Sequence, residues 1–420
     1  MLAQKSLSFI ISKNAHLIEQ ASSLKYIANQ QLFKIRLPSS SMPHLSEREL
    51  SLPNVEFPKI FSRIINDKSI TNLGVGEPDF ITPKPLLQYT RNIISKGTHY
   101  SEPQGMLKLR EAICKKLKKE NKIHVQPENI LVTCGSQEAL FSALLTTLDP
   151  TEQVIIPSPG YLGYIPAVEL INATPVFLKL EEKDAFEINP EKLKKLITKK
   201  TKAIIINTPS NPTGNVLSRK TLEELADIAI EQDLHIFADE AYEQLVYEKK
   251  HISIGSLNGL KNVTTFQTFS KSFAMCGFRL GYACGNTSLI KDMTKVHHYI
   301  ALSAPHISQL TGIKALTLPK RYINAMVREY KRRRDMIVKR LNKLNMPTPL
   351  PGGAFYTFSN IQAYSRNSLQ FSKMLLKKAK VAVIPGTEFG PYGQGYIRCS
   401  FATDYKKIEL ALDRIEKVLR

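Results

Sequence analysis

The sequence predicts an α/β fold built around a mostly parallel β-sheet that is buried on both faces. Two observations support this prediction. Short continuous runs of β-branched and aliphatic residues recur along the chain, and a segment with helical periodicity follows most of these runs. Strands that alternate with covering helices are apolar throughout, whereas half-exposed strands alternate between apolar and polar residues.

The predicted elements follow one another from residue 106 onward. A basic amphipathic helix over 106–120 comes first, and a helix over about 137–147 follows the first strand. The predicted strands are, in order, 129–133, 153–157, 201–207, 234–238 and 263–267. The C-terminal third is more helical, with helices over 322–342 and 368–378 beside a second α/β unit. Because ligands gather at the carboxyl ends of parallel strands, we expect the functional residues there.

The composition is that of an ordinary globular protein with an unusual charge. The 420 residues are 43% hydrophobic and 23% charged, no apolar run is long enough to span a bilayer, and the net charge is +21. Basic runs lie at 115–119, 192–202 and 331–334. We interpret them as solvated helix faces, because they lack interleaved aromatic residues and any recognisable nucleic-acid module. Neither a nucleic-acid partner nor a membrane association is therefore expected.

Residues 1–51 form a predicted N-terminal extension that is basic and rich in serine. This composition is compatible with organelle targeting, and equally with a helix that packs on the body of the protein or on a neighbour. The five cysteines are scattered and form no CxxC pair, which favours reduced thiols over disulfides. The expected location is the cytoplasm, with organelle import left open.

Two residues that follow predicted strands carry the chemical argument. Lys271 lies where partial desolvation in a strand-end cleft makes an amine nucleophilic. Asp239 follows an uninterrupted apolar strand, a costly position for an acid unless it meets a cation or strong donors. A protonated pyridine nitrogen is such a cation, and the ring then acts as an electron sink. Tyr242 and Asn211 can both reach the phenolic oxygen of such a ring, and the bond from Asn211 to Pro212 is a candidate cis peptide.

Further polar groups suit a phosphate and a carboxylate. Segment 135–137 opens a helix and offers free backbone N–H groups at the positive end of the helix dipole. Ser270 and Arg279 flank Lys271 and add a hydroxyl and a bidentate guanidinium. Arg398 lies on a short strand near the C-terminus, where an arginine suits a substrate carboxylate.

An ordered set of motifs resembles the class I and II aminotransferases, which are pyridoxal-5′-phosphate (PLP) enzymes. The motifs are Gly-Val-Gly-Glu-Pro-Asp-Phe at 74–80, Ser-Asn-Pro-Thr-Gly at 210–214, Asp-Glu-Ala-Tyr at 239–242, Ser-Lys-Ser-Phe at 270–273 and Gly-Phe-Arg-Leu-Gly-Tyr at 277–282. The resemblance covers about residues 57–419. It implies PLP fold type I, with a large domain over 82–318 and a smaller α/β domain combining 52–81 with 319–420.

The resemblance also implies an activity and an assembly. The expected reaction moves the α-amino group of an L-amino acid to a 2-oxo acid, with 2-oxoglutarate as the expected acceptor. It would follow a ping-pong course through pyridoxamine phosphate and belong to amino-acid metabolism or biosynthesis. The implied assembly is a homodimer with shared active sites.

Roles carried over from the family fall on individual positions of this sequence. Lys271 would hold PLP as a Schiff base and shuttle the proton, with Asp239 on the ring nitrogen and Tyr242 on the ring oxygen. Tyr161 would stack on the ring, and Tyr100 would reach the phosphate of the neighbouring subunit. The implied cofactor-binding residues are Tyr100, Gly135, Ser136, Gln137, Tyr161, Asn211, Asp239, Tyr242, Ser270, Lys271 and Arg279. The implied substrate-binding residues are Gly76, Asn211 and Arg398.

Several alternatives stay open at this point. Gln137 stands where some relatives have a lysine, so the donor can be dicarboxylic, aromatic or small and neutral. Another PLP enzyme acting at the α-carbon, such as a lyase or cyclase, would keep the same cofactor residues. A PLP-fold regulator lacks a clear DNA-binding module here, and a non-catalytic scaffold leaves Asp239 and Lys271 unexplained. The adjacent His297 and His298 point apart on a helix, so no metal site is expected.

Overall fold

The structure is a computed structural model that describes residues 66–257 and 259–420, together with residues 46, 49 and 52. The described chain from residue 66 onward belongs to one compact unit. The predicted extension over 1–51 lies almost wholly outside the described residues. Among the described residues, no helix is long and apolar enough to cross a membrane.

Strands and helices alternate over most of this unit. The strands are β1 (Thr71–Asn72), β2 (Ile130–Thr133), β3 (Gln153–Ser158), β4 (Thr174–Lys179), β5 (Thr201–Asn207), β6 (His235–Asp239), β7 (Val263–Thr268), β8 (Gly281–Cys284), β9 (Tyr356–Asn360), β10 (Val381–Ala382), β11 (Ile384–Pro385) and β12 (Tyr396–Ser400). The helices are α1 (Lys84–Ile94), α2 (Leu107–Lys116), α3 (Ser136–Thr147), α4 (Tyr164–Leu170), α5 (Pro190–Lys194), α6 (Arg219–Glu231), α7 (Phe269–Ser272), α8 (Thr287–Ala301), α9 (His306–Ala315), α10 (Arg321–Lys343), α11 (Ser368–Met374) and α12 (Tyr405–Leu419).

The main sheet has seven strands in the order β2-β8-β7-β6-β5-β3-β4. Strand β8 runs antiparallel to both of its neighbours, and the remaining pairs are parallel. The central strands are buried on both faces, as their continuous apolar sequences require; Ile204, Ile205 and Ile206 of β5 are fully buried. The prediction of a mostly parallel, doubly covered sheet is confirmed. The carboxyl ends of β3, β5, β6 and β7 meet at one edge.

The C-terminal part adds two small sheets. Strands β11, β12 and β9 form an antiparallel sheet, and β1 pairs with β10 across more than 300 residues of sequence. A second apolar cluster surrounds these strands, with Tyr330, Phe355 and Phe401 among its buried members. A first cluster packs mainly against the main sheet and also includes Phe358 of β9 and Ile384 of β11. Two clusters are compatible with the predicted division into a large and a small domain, which stays a prediction.

The basic runs of the sequence are only partly solvated. Lys116, Arg333 and Arg334 have side chains that are at least nine-tenths buried. Each of the three is paired with an acid: Lys116 with Glu243, Arg333 with Asp79 at 2.8 Å, and Arg334 with Glu248 at 2.6 Å. The interpretation of these runs as solvated helix faces is therefore wrong for these three side chains. Buried cations require such partners, since desolvation of an unpaired charge costs several kcal/mol.

Candidate active site

A cavity of about 290 Å³ opens at the carboxyl edge of the main sheet. Segments that follow β2, β5, β6 and β7 line it, and β12 and the segment after β1 complete the wall. Of the predicted site residues, only Tyr100 does not line the cavity. The others are Gly76, Gly135, Ser136, Gln137, Tyr161, Asn211, Asp239, Tyr242, Ser270, Lys271, Arg279 and Arg398.

Lys271 enters the cavity from the one-turn helix α7. The hydroxyl of Thr268, at the end of β7, accepts a hydrogen bond from the backbone N–H of Ser270 at 3.2 Å and so caps this turn. The Lys271 side chain is half-buried, and its Nζ donates to the carbonyl oxygen of Gly76 at 2.8 Å. The cap and this contact fix the amine at the centre of the cavity wall. A hydrogen bond to a backbone carbonyl holds the amine only weakly, so the amine remains available for reaction. A strong ion pair with a carboxylate would hold it in place.

Asp239 is the last residue of β6, and its carboxylate lies in the cavity wall. Oδ2 accepts a hydrogen bond from the Tyr164 hydroxyl at 2.7 Å, and Oδ1 accepts one from the backbone N–H of Ala241 at 3.1 Å. Burial raises the pKa of the Asp239 carboxyl, and the two donors partly oppose that rise. A carboxylate held in so desolvated a place gains most from a cationic partner within the cavity.

The start of α3 forms an anion-binding corner of the cavity. Gly135 precedes this helix with φ +96°, and a Cβ atom there would lie 2.7 Å from Nη2 of Arg279. The guanidinium therefore lies against the backbone at the point where the first N–H groups of the helix are free. Ser136 and Gln137 are the first residues of α3 and line the same corner. N–H groups, helix dipole and arginine together suit a phosphate.

Arg398 lines the same cavity from the middle of β12 rather than from its end. Its Nη1 donates to Oδ1 of Asn211 at 3.0 Å, and its Nη2 donates to the carbonyl oxygen of Gly74. The guanidinium carbon lies 4.4 Å from the ring centroid of Tyr356. Its Nε has no hydrogen-bond partner among the described residues, and burial lowers the pKa of Arg398. A buried cation with an unmet donor attracts an anion into the cavity.

Comparison with known proteins identifies the family. The family model for aminotransferase class I and II matches residues 68–415. The chain belongs to this family. It is 44% identical to the aspartate aminotransferase of Pyrococcus abyssi, covering 87% of this chain and 95% of that protein. It is 43% identical to aromatic-amino-acid aminotransferase 2 of Thermococcus litoralis, covering 90% of this chain and 98% of that protein.

Solved aminotransferase structures share the fold. An aromatic aminotransferase from Pyrococcus horikoshii is 43% identical and superposes with a TM-score of 0.82, covering 86% of this chain and 98% of that one. An aspartate aminotransferase from Thermus thermophilus, solved with maleate, is 34% identical with a TM-score of 0.86, covering 90% of this chain and all of that one. The prediction of fold type I is confirmed.

Two tyrosines in this aminotransferase site were not predicted. Tyr164, on the first turn of α4, donates to Asp239 and is buried, which raises its pKa well above the ordinary value. Tyr356 opens β9; its hydroxyl lies 2.8 Å from that of Tyr242, and a Cβ on Gly76 would approach it to 2.3 Å. Tyr164 follows Tyr161 by three residues, and its backbone N–H donates to the carbonyl oxygen of Tyr161 at 3.1 Å, in the turn that leads into α4. No local signal points to Tyr356.

The Tyr164 contact gives a first prediction. Because a hydrogen bond to a charged group is worth about 1.5–3 kcal/mol, we expect Tyr164→Phe to lower the turnover of this aminotransferase by roughly tenfold or more. The matched control is Tyr364→Phe, which removes a hydroxyl bonded at 2.7 Å to the carbonyl oxygen of Leu344, outside the cavity. Steady-state kinetics of both variants check this result. Equal turnover in the two variants would show that the Tyr164 hydroxyl does not support Asp239.

The histidine pair has separate environments, as expected. His297 is buried on α8, and its Nδ1 lies 2.9 Å from Oε1 of Glu138. His298 is exposed and packs edge-on against the ring of Tyr299. The bond from Asn211 to Pro212 is cis, which confirms that prediction.

Proposed function

We propose that this aminotransferase moves the α-amino group of an L-amino acid to 2-oxoglutarate, in a ping-pong reaction that alternates between PLP and pyridoxamine phosphate. One observation carries the proposal: an amine, a half-buried carboxylate and a buried guanidinium converge on a single cavity, at Lys271, Asp239 and Arg398. This set provides an attachment point, an electronic partner and a carboxylate anchor, which are the three requirements of the reaction.

The residues present fit PLP. The corner at Gly135 and Arg279 suits its phosphate, because no side chain at position 135 blocks the backbone N–H groups. Asp239 suits a protonated ring nitrogen, since its carboxylate is desolvated and already oriented by Tyr164. Bound PLP supplies an electron sink for negative charge that develops at the substrate α-carbon.

Lys271 acts as the attachment residue and the proton carrier. Its Nζ is held by the Gly76 carbonyl within the cavity, so the same amine can take a proton from the substrate α-carbon and return it. Arg398 binds the substrate α-carboxylate, supported by Asn211, whose Oδ1 fixes one side of the guanidinium. Lys271 and Arg398 line the same cavity, so attachment at one and carboxylate binding at the other together orient the α-carbon towards the amine.

The aromatic residues shape the space between these anchors. Tyr242 is buried and its hydroxyl lies 2.8 Å from that of Tyr356, so it can donate to the ring oxygen of the cofactor. Burial raises the pKa of Tyr242 well above the ordinary value and that of Tyr161 to about 12, so both stay protonated. The Tyr161 hydroxyl donates to Oε1 of Gln137 at 3.2 Å, which orients its ring beside the cavity. We assign Tyr161 to stacking on the cofactor ring.

Tyr100 supports the proposal of a homodimer with shared sites. Its side chain is 85% exposed and lies outside the cavity of its own chain, although its sequence position matches that of a phosphate-binding residue. A partner subunit would then receive Tyr100 at its phosphate corner.

The cytoplasm remains the proposed location. The five cysteines are all free in the structure, which accords with a reducing compartment. The test is the distribution of a tagged full-length chain between organelle and cytoplasmic fractions.

The proposed function is tested by absorption spectroscopy of the PLP-loaded protein. Aspartate, tyrosine, phenylalanine and alanine are added one at a time, followed by 2-oxoglutarate. We expect at least one donor to convert the visible band to that of pyridoxamine phosphate, and 2-oxoglutarate to restore it. Consumption of a donor without any 2-oxo acid would instead indicate a lyase or cyclase. A band that no amino acid alters would contradict transfer.

A further inference from the structure

Beneath the cavity lies a buried polar network that the proposed reaction does not use. The end of β6 and the turn that follows it contribute side chains to both the cavity and this network. Asp239 and Tyr242 line the cavity, whereas Glu240 and Glu243 point away from it and into the network. Glu240 is fully buried, and the Glu243 side chain is 9% exposed. These four residues, which lie within five positions of the sequence, therefore connect the cavity to the buried charged groups of the network.

Gln267, on β7, is the centre of this network. Its Nε2 donates to Oε2 of Glu240 at 2.9 Å and to Oε2 of Glu243 at 3.0 Å. Its Oε1 accepts from Nζ of Lys116 at 2.5 Å and from the hydroxyl of Tyr282. Since β7 continues directly into the turn that carries Lys271, one buried side chain joins the two segments that supply the reactive amine and the half-buried carboxylate.

The two carboxylates of the network have different cationic partners. Lys116 bonds Glu243 directly, whereas Glu240 accepts from Ser253 and Gln267 and faces His251. Burial raises the pKa of Glu243, but the charges of Lys116 and His251, together with the hydrogen bonds from Lys116 and Asn121, hold it below the ordinary value. Burial is the largest cause of the raised pKa of Asp239, and the nearby charge of Glu240 adds to that rise.

Further polar groups surround the two carboxylates. Ser253 donates to Oε1 of Glu240 at 2.6 Å, and Asn121 donates to Glu243 at 2.5 Å. Nε2 of His251 lies 3.4 Å from Oε2 of Glu240, on a side chain that is 6% exposed. The other titratable groups that face it from packed elements are Tyr282, Cys284 and Glu120, the last paired with Lys320 at 2.7 Å.

A metal ion does not explain this cluster. Glu240, Glu243 and His251 bring possible ligand atoms within 4.8 Å of one another. However, the Glu243 oxygens already accept from Lys116, Asn121 and Gln267, and the ammonium is where a cation would have to bind. Like charges so close in a desolvated place repel strongly.

We propose that the network centred on Gln267 is a positioning and charge-setting layer, in which Glu240 supplies the negative charge that keeps a proton on the nitrogen joining Lys271 to the cofactor. Glu240 and Glu243 are positioning residues that act through Asp239 and Lys271. This inference rests on the proposed function, because the charge is set for PLP. In a medium of low dielectric constant a negative charge acts at a distance, so Glu240 need not contact the cofactor.

The test is a pH titration of the visible absorbance of the PLP-loaded full-length protein. Glu240→Gln keeps the shape and removes the charge; we expect the titration midpoint to fall by roughly 0.5 to 1 pH unit, since loss of a nearby negative charge favours the unprotonated nitrogen. Glu240→Asp shortens the side chain but keeps the charge, and should leave the midpoint in place. Glu223→Gln, an exposed residue on α6, removes the same formal charge far from the site.

The outcomes separate charge from packing. A lower midpoint in Glu240→Gln, with Glu240→Asp and Glu223→Gln unchanged, supports the proposal. An unchanged midpoint in Glu240→Gln, or an equal shift in Glu240→Asp, overturns it even if the unfolding temperature falls. If Glu240→Gln does not fold, Glu243→Gln is measured instead: a lower titration midpoint supports the proposal, and an unchanged midpoint overturns it. Absence of any visible band dependent on Lys271 in the unaltered protein would overturn the proposed function and this inference together.

Discussion

Replacing Lys271 by alanine is expected to abolish covalent attachment of PLP and to lower turnover at least roughly ten-thousandfold. The side chain provides both the attachment amine and the proton carrier, and proton transfer alone contributes about 10²- to 10⁴-fold. Among the described residues, Lys271 is the one lysine that lines the cavity, so no neighbour can replace it. The measurement is borohydride reduction of the PLP-loaded protein, followed by mass spectrometry of the labelled peptide.

The control for this variant is Lys295→Ala, on the exposed side of α8, which should retain both the adduct and full turnover. A reducible adduct that persists in Lys271→Ala would contradict the assignment. Loss of the adduct in both variants would point to a general failure of folding, which the unfolding temperature of each variant would reveal.

The second large effect is expected at Asp239. Asp239→Asn keeps the shape of the side chain but removes the charge that stabilises a protonated ring nitrogen, and we expect turnover to fall by roughly a thousandfold. PLP should stay bound more weakly, because the phosphate corner at Gly135 and Arg279 is separate from the ring. Turnover and PLP affinity are measured side by side, with the exposed Asp292→Asn as the matched control. Unchanged turnover would mean that Asp239 does not face the ring nitrogen.

The fold was predictable where a strand is buried on both faces. The runs that became β2, β3, β5, β6 and β7 are continuous and apolar, so their positions follow from the sequence to within about a residue at each end. Strand β4 was missed because it lies at the edge of the sheet and is half-exposed, and its sequence includes Pro175 and Lys179. Strand β8 was missed because it is only four residues long and begins with a glycine.

Helix ends were harder to predict than helices. The predicted helix over 106–120 is interrupted after Lys116 by a π-helical turn, Leu117–Asn121, which ends at Lys122 with φ +61°. The helix predicted over 368–378 ends in the same way, in a π-helical turn at Leu375–Ala379. Lysine favours helices and gives no stop signal, so such turns are set by tertiary packing rather than by the local sequence.

The site was predictable where a polar residue ends an apolar strand. Asp239 and the residues that follow β2 and β7 gave that signal, and they line the cavity. Tyr356 gave none, because it lies in an ordinary strand of the second cluster and reaches Tyr242 only through the tertiary fold. The sequence also gives no signal for the network around Gln267. Lys116 lies in a basic run that is typical of a solvated helix face, and its partner Glu243 lies more than 100 residues further along the chain.

The most direct test of the account follows the nitrogen atom itself. The PLP-loaded protein is incubated with a ¹⁵N-labelled donor amino acid chosen from the spectroscopic panel and with unlabelled 2-oxoglutarate. Amino-group transfer through Lys271 predicts that ¹⁵N appears in glutamate, one equivalent for each donor consumed, and that Lys271→Ala forms none. Release of the label as ammonium, or retention of all of it on the donor, would contradict amino-group transfer.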